Sequence, residues 1–390
     1  MANILIVVPV IAHEGITSLV TSQVDELLLK NLNITVVVLS SIKLDYSPFN
    51  LPPDKVIELH SSETYLSVKA LFNSVKIIKS LVSIVTSKKI EVVFAHAPYG
   101  HFNMRVVKCL LKSKNTFRLV QYFHFPQFEQ FPNNTLRRKL FHLVFAQLAK
   151  ISDDVHVSVS QAVKADIENN FIKIKNHKVI YNPMSSVPEN IINKYVDSSI
   201  KFSNNKFKIL LPGRLDHNKG QLFFITVFSQ FVKQNKLTQN DVTLIIIGDG
   251  DILNNIKDTI VSVGLQSYIE LRRGVERRFL LKLMSISNMV VVPSYLEGLG
   301  MVVLEALQTK TLVLASDTRG INEIISHKET GYLFRPGDIE DCLEKLNYIF
   351  NHRYTTLINQ DKVKNVLNNT FSLEKHVEQL MELIEPQSQV

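Results

Sequence analysis

Short, solidly apolar runs recur along the chain, each separated from the next by a helix-length amphipathic segment. "NILIVVPV" leads into a helical pattern from Ile16 to Lys30, and "ITVVVLSS" follows. "IEVVFAHA", "FRLVQYFHF" and "DVHVSVS" continue the series. Strands that alternate with helices form a parallel sheet covered on both faces. The rhythm restarts at "FKILLPGR" and passes through "VTLIIIGDG", "YIELRR", "NMVVVPS" and "TLVLASD" to end near "GYLFRPGD". Two series predict two α/β domains, residues 1–185 and 206–370, each Rossmann-like and doubly wound, facing across a cleft. A polar, strand-poor stretch from Asn182 to Lys206 reads as their connection. The tail "FSLEKHVEQLMELIE" reads as a closing amphipathic helix within residues 371–390, returning toward the first domain.

Composition sets the surroundings. Cys109 and Cys342 are the whole cysteine complement of 390 residues, which supports neither a disulfide framework nor a zinc site and fits a reducing cytoplasm. The first apolar run has no basic residue ahead of it and is too short for a signal peptide. No uninterrupted apolar run approaches the length of a membrane span. The net charge of +8 is local. Residues 1–190 hold 21 basic and 14 acidic side chains, against 23 and 22 in the remainder. Eleven of the 13 glycines lie from Gly213 to Gly337, where backbone must turn tightly or approach a ligand.

Doubly wound sheets bind ligands at the carboxyl ends of their strands. A motif at such an end is placed to meet a ligand. "PSYLEGLGMVVLEAL" lies at one: Glu297 follows the strand "NMVVVPS", Gly298 and Gly300 permit a turn, and a helix begins at about Met301. Glu305 lies a turn inside that helix, so two carboxylates flank its amino terminus. Free N–H groups and the helix dipole suit that terminus to a phosphate. A carboxylate would repel the phosphate, so the two glutamates are expected to meet neutral hydroxyls beside it. The plainer reading is one capping acid and one surface acid. "ILLPGRLDHNKG" adds Arg214 and Lys219 at another strand end, cations that can neutralise a diphosphate or can be routine surface charges. "LRRGV" ends a further strand, with Gly274 where a planar base could stack on backbone.

The order "PGR…KG", "IIGDG", "PSYLEGLGMVVLEAL", "RGINEII", "GYLFRPGD" resembles retaining glycosyltransferase family 4, which has the GT-B fold of two Rossmann-like domains. The second half matches nearly throughout. By that resemblance, Arg214 and Lys219 grip the donor diphosphate. Glu297 contacts the transferred sugar, and Glu305 the ribose. Backbone around Gly300, Met301 and Val302 meets the phosphate. The first half matches more loosely. The family's glycine pair after the first strand is reduced to Gly15, and the usual acid after it is absent. "LVQYFHF" resembles the strand ending in a histidine that faces the donor sugar, here His124; alternatively His124 is a hydrogen-bonded core residue. His13, His96 and His101 are weaker acceptor-side candidates.

The resemblance implies transfer of a sugar from a UDP- or GDP-linked donor to a glycan or lipid-linked acceptor hydroxyl. It also implies retention of configuration and no metal. Two alternatives stand beside it: a sugar-nucleotide epimerase of the same fold, and a non-catalytic sugar-nucleotide-binding partner subunit. Asp249 and Asp251 form a D-x-D that could hold a divalent cation, but a complete α/β domain precedes it, and a turn fits better. Two basic amphipathic segments, Val68 to Lys89 and "LRRKLFHLVFAQLAK" from Leu136, suit an anionic membrane surface or pack as ordinary surface helices. Phe125, Phe128 and Phe131 could cover an acceptor lipid or simply pack. No nucleic-acid recognition motif accompanies the charge. The expected location is cytoplasmic, peripheral on the inner face of the plasma membrane.

Overall fold

A computed structural model describes residues 2–12, 15–44, 47–111, 117–131, 135–184, 206–355 and 358–385, the side chains of Val68 and Arg137 excepted. The connection expected at 182–206 and the candidate His13 therefore lie almost wholly or wholly outside the described residues.

The chain divides into two units, Met1–Pro183 with Leu373–Val390, and Met184–Ser372. In the first unit the apolar runs become β1 (Asn3–Val8), β2 (Asn33–Val38), β3 (Val56–Glu58), β4 (Val92–His96), β5 (Arg118–Phe123), β6 (Val155–Ser158) and β7 (His177–Val179). Helices alternate with them: α1 (Gly15–Leu29), α2 (Val68–Ser87), α3 (Ala97–Leu111), α4 (Gln127–Gln130), α5 (Leu136–Ser152) and α6 (Gln161–Asn170). The sheet is parallel, in the order β3-β2-β1-β4-β5-β6-β7. Leu5, Val7, Val93, Ala95 and Leu119 share one buried core with Ile77, Leu81 and Val85 of α2. Lys69–Ser87 is long and apolar enough to cross a membrane, yet its inner side belongs to that core.

The second unit repeats the plan with β8 (Phe207–Pro212), α7 (Gln221–Gln234), β9 (Val242–Ile247), α8 (Leu253–Ser262), β10 (Ile269–Arg272), α9 (Arg277–Ser285) and β11 (Met289–Val292). It continues with α10 (Met301–Gln308), β12 (Leu312–Ser316), β13 (Tyr332–Phe334), α11 (Ile339–Asn351) and α12 (Gln360–Thr370). Its parallel sheet runs β10-β9-β8-β11-β12-β13. In both sheets the first strand of the unit is interior. The chain winds outward from it, then crosses back to its other side. That reversal lies between β1 and β4 and between β8 and β11, and it is where a doubly wound sheet opens a crevice.

A last helix, α13 (Leu373–Ile384), joins the first unit and packs against α1. Its buried His376 donates from Nδ1 to the Tyr181 carbonyl at 2.8 Å, leaving Nε2 to accept from the Gln23 amide at 3.2 Å. Both bonds need a neutral ring, and burial pushes its pKa down to about 4. Arg118 donates to the Leu383 carbonyl at 2.9 Å, so α13 is tied to β5 as well.

Beneath β5 to β7 lies a buried polar network. Register places Gln121, His156 and His177 side by side on adjacent strands. Asp153 accepts from Arg105 Nη2 at 2.7 Å, His156 Nε2 at 2.9 Å and Gln121 at 3.1 Å. The Arg105 guanidinium beside Asp153 and the His156 hydrogen bond outweigh burial and hold its carboxyl well below the usual carboxylate range.

Candidate functional site

The loops after β8 and β11 meet at the reversal point of the second sheet. Asp216 caps a short 3-10 turn by accepting the Asn218 N–H at 2.9 Å, which aims the following Lys219. The Asn218 carbonyl then accepts the Tyr295 N–H at 2.7 Å, so one loop is stitched to the other. Gly220 follows with φ +69°, and a Cβ there would lie 2.0 Å from the Pro293 carbonyl oxygen. A Cβ on Gly248 would lie 1.9 Å from the Gly213 oxygen. Backbone touches backbone at these points, which is why only glycine fits.

This stitching brings Lys219 Nζ to 2.7 Å from Glu297 Oε1, across 78 positions of sequence. Ser294 donates to the same oxygen at 2.8 Å. Both ends are largely sheltered, with side chains 24% and 11% exposed, so the pair is worth more than a solvated surface bridge. Among the described residues Arg214 pairs with its neighbour Asp216, at 2.8 Å, and its side chain is 64% exposed. The expected pair of cations is therefore one held lysine and one solvent-facing arginine.

Beyond Glu297 the chain turns at Gly300, φ +88°, and α10 begins at Met301. Of the two glycines in that turn, Gly300 has the left-handed backbone and Gly298 does not. No side chain caps the helix start. Glu305 sits one turn in and accepts from Arg277 Nε at 2.7 Å. Each carboxylate is thus matched by a cation, Glu297 by Lys219 and Glu305 by Arg277.

Gly274 follows β10, and its N–H donates to Asp249 Oδ2 at 2.9 Å, while Arg273 holds Oδ1 at 2.7 Å. The Arg273 bond and then the Gly274 N–H keep the Asp249 carboxyl below its ordinary value. Asp249 therefore fixes the β10 loop, and among the described residues no group of three metal-ligating side chains forms.

In the first unit, β4 and β5 end side by side and carry His96 and His124. His96 Nδ1 and His124 Nε2 are 2.9 Å apart, so one donates and the other accepts. Both rings stack with Tyr122, with centroids 5.0–5.2 Å apart. Burial pushes the His124 pKa down to about 3, and burial and then His124 push His96 well down too. His101 is a core histidine: buried, donating from Nε2 to the Tyr122 carbonyl at 3.0 Å and packed on Phe123. Gly15 opens α1, and among the described residues beyond its chain neighbours nothing lies within 4 Å of where a Cβ would stand. Phe128 accepts no such open role: it stacks on Phe171 at 4.8 Å, whereas Phe131 is 59% exposed.

Sequence reading missed Arg277, Ser294 and Asn218. Arg277 was legible only as one of several charges in "GVERRF"; Ser294 and Asn218 carried no signal, since their roles depend on loops meeting in space.

The family model for glycosyl transferases group 1 matches residues 196–382. Among curated relatives, the alpha-D-kanosaminyltransferase of Streptomyces kanamyceticus is 27% identical over 141 residues, 35% of this chain and 36% of that protein. The UDP-Gal:alpha-D-GlcNAc-diphosphoundecaprenol alpha-1,3-galactosyltransferase of Escherichia coli is 24% identical over 183 residues, 46% of this chain and 45% of that protein. The chain thus spans less than half the length of these relatives. A solved sucrose-phosphate synthase from Thermosynechococcus elongatus aligns over 98% of both chains, with TM-score 0.80 and 17% identity, which shows the fold to be GT-B. The similarity to the glycosyl transferases group 1 family thus lies in residues 196–382, which take in nearly all of the second unit and most of α13.

Proposed function

We propose that the chain is a retaining, metal-independent glycosyltransferase that moves a sugar from a nucleotide diphosphate sugar to an acceptor hydroxyl in surface polysaccharide or lipid-linked glycan synthesis. The observation that carries this reading is the Lys219–Glu297 pair, assembled by two glycine-locked loops beside the uncapped start of α10. In such a transfer the bond between the anomeric carbon and the diphosphate oxygen breaks, the acceptor hydroxyl oxygen bonds to that carbon, and its proton passes to the departing diphosphate, on which negative charge accrues as the first bond lengthens. Lys219, Arg214 and the N–H groups near Met301 are suited to stabilise that charge without a metal. Glu297, released from Lys219 as phosphate takes the ammonium, becomes an acceptor for sugar hydroxyls. Glu305, oriented by Arg277, has the same capacity toward a ribose. His124 is assigned to position the transferred sugar, its tautomer set by His96. The relatives' names support the donor class: one is a UDP-galactose enzyme acting on a diphosphoundecaprenol-linked sugar.

The test is thermal stabilisation by UDP, GDP and ADP, each in EDTA and with added magnesium or manganese. A ligand that binds only the native state raises its stability by mass action. A shift with one nucleotide in EDTA is expected and names the donor base. A shift that needs metal returns Asp249 and Asp251 to the site; no shift with any nucleotide removes the donor assignment.

A further inference from the structure

The first unit leaves a second apolar stripe in solvent. On α5, Phe145 turns inward and meets Phe102 of α3 edge-on at 5.4 Å, and Ala149 is fully buried. On the other side, Leu136, Leu140, Leu143, Val144 and Ile151 recur at helical spacing, and each is 57–85% exposed. At 100° per residue they span an arc of about 100°, the width of a face meant to be covered. Helix α2 adds Phe72 at 78% and Val75 at 59% exposure. Both helices pack against α3, so their outer faces belong to one helical layer.

The charge around these faces has one sign. Neither helix contains an Asp or Glu, while α2 carries three basic residues and α5 four. Lys69 is held by Glu63 at 3.1 Å. Lys76, Lys79, Lys139 and Lys150 make no ion pair among the described residues and are exposed. Lys139 and Lys150 border the α5 stripe on the same side. A second copy of this chain fits poorly, because an isologous pair would set these cations against each other. An anionic bilayer matches both features, since acyl chains accept the aliphatic stripe and lipid phosphates accept the lysines. Crossing the bilayer is not what α2 is built for, because Ile77, Leu81 and Val85 are core.

We infer that the outer faces of α5 and α2 dock the protein on an anionic membrane surface. The inference stands on the first unit alone and does not depend on the proposed activity. Sedimentation of the full chain with phosphatidylcholine vesicles, with and without about a third phosphatidylglycerol, tests it. Partitioning is expected to be tenfold or more stronger on the anionic vesicles, by roughly the contribution of two lysines, and to weaken with salt. The double substitutions Leu140→Gln/Leu143→Gln and Lys139→Glu/Lys150→Glu should each lower it about tenfold. Because those positions are exposed, both variants should keep the thermal midpoint and any nucleotide-induced shift of the parent. Equal binding to neutral vesicles, undiminished binding by either variant, or a dimer that the leucine variant dissolves would each overturn the inference.

Discussion

Acidification should open the first unit before the second. His124 and His177 have pKa values pushed down to about 3, and His376 to about 4. Burial is the leading cause in all three; His156 and Lys164 add to it at His177, and the Tyr181 carbonyl opposes it at His376. An unfolded histidine takes up a proton below its ordinary value near 6.5, whereas these three stay neutral in the fold. Below pH 6.5 the unfolded state therefore binds more protons, and stability falls as pH falls. At pH 5 each histidine removes about 2 kcal/mol, and the three together about 6 kcal/mol. His96, His101 and His156 are shifted the same way and add to the loss. The paired Asp153 does not enter this window, because its contribution is lost only at lower pH. A loss of about 6 kcal/mol is comparable with the whole stability of a domain. Hydrogen exchange read by mass spectrometry, corrected for intrinsic rate, checks this residue by residue. Globally protected amides in β4 to β7 should lose about four orders of magnitude of protection between pH 7.5 and 5, and those in β8 to β12 far less. His376→Gln keeps a donor for Tyr181 and should flatten the first unit's pH dependence by about 2 kcal/mol. Equal loss in both sheets, or none, would refute the reasoning.

Three further outcomes are expected. Lys219→Ala removes the cation and strands the sheltered Glu297 carboxylate, so kcat/KM should fall at least about 30-fold, or about 2 kcal/mol; near-normal turnover would remove the diphosphate role. Arg277→Ala frees Glu305 and should raise the donor KM about tenfold while kcat changes little, as loss of uniform binding does. Gly220→Ala places a methyl 2.0 Å from the Pro293 oxygen at a left-handed φ; a loss of about 3 kcal/mol should lower Tm by roughly 6–12 °C in calorimetry.

The rhythm of apolar runs was enough to place Glu297, Arg214 and Gly274 beyond strand ends, because a strand buried on both faces writes itself into consecutive residues. The start of α10 at Met301 was equally legible, since Gly300 must supply the left-handed turn before it. Partnership was not legible. Lys219 pairs with a residue 78 positions away while Arg214 pairs with one two positions away, and nothing local distinguishes them. In sequence, the glycines of the second half signal turns or ligand approaches. Gly220 and Gly248 also serve contacts with other loops, which exist only once the sheet has formed. His101 and His124 both follow apolar strands in sequence. Only the fold separates the one that donates into the core from the one at the strand end.

The helix α13 has a consequence for synthesis. Gln23 waits for His376, and Arg118 for the Leu383 carbonyl, although the whole of the second unit is made in between. At about 5–20 residues per second, the ribosome takes roughly 10–40 s to translate that intervening unit. Throughout that interval the earlier sheet has β1 to β7 but an uncovered α1. The half of the chain made first is thus the half completed last. A nascent chain halted before Leu373 should carry a finished second unit and a protease-sensitive first one.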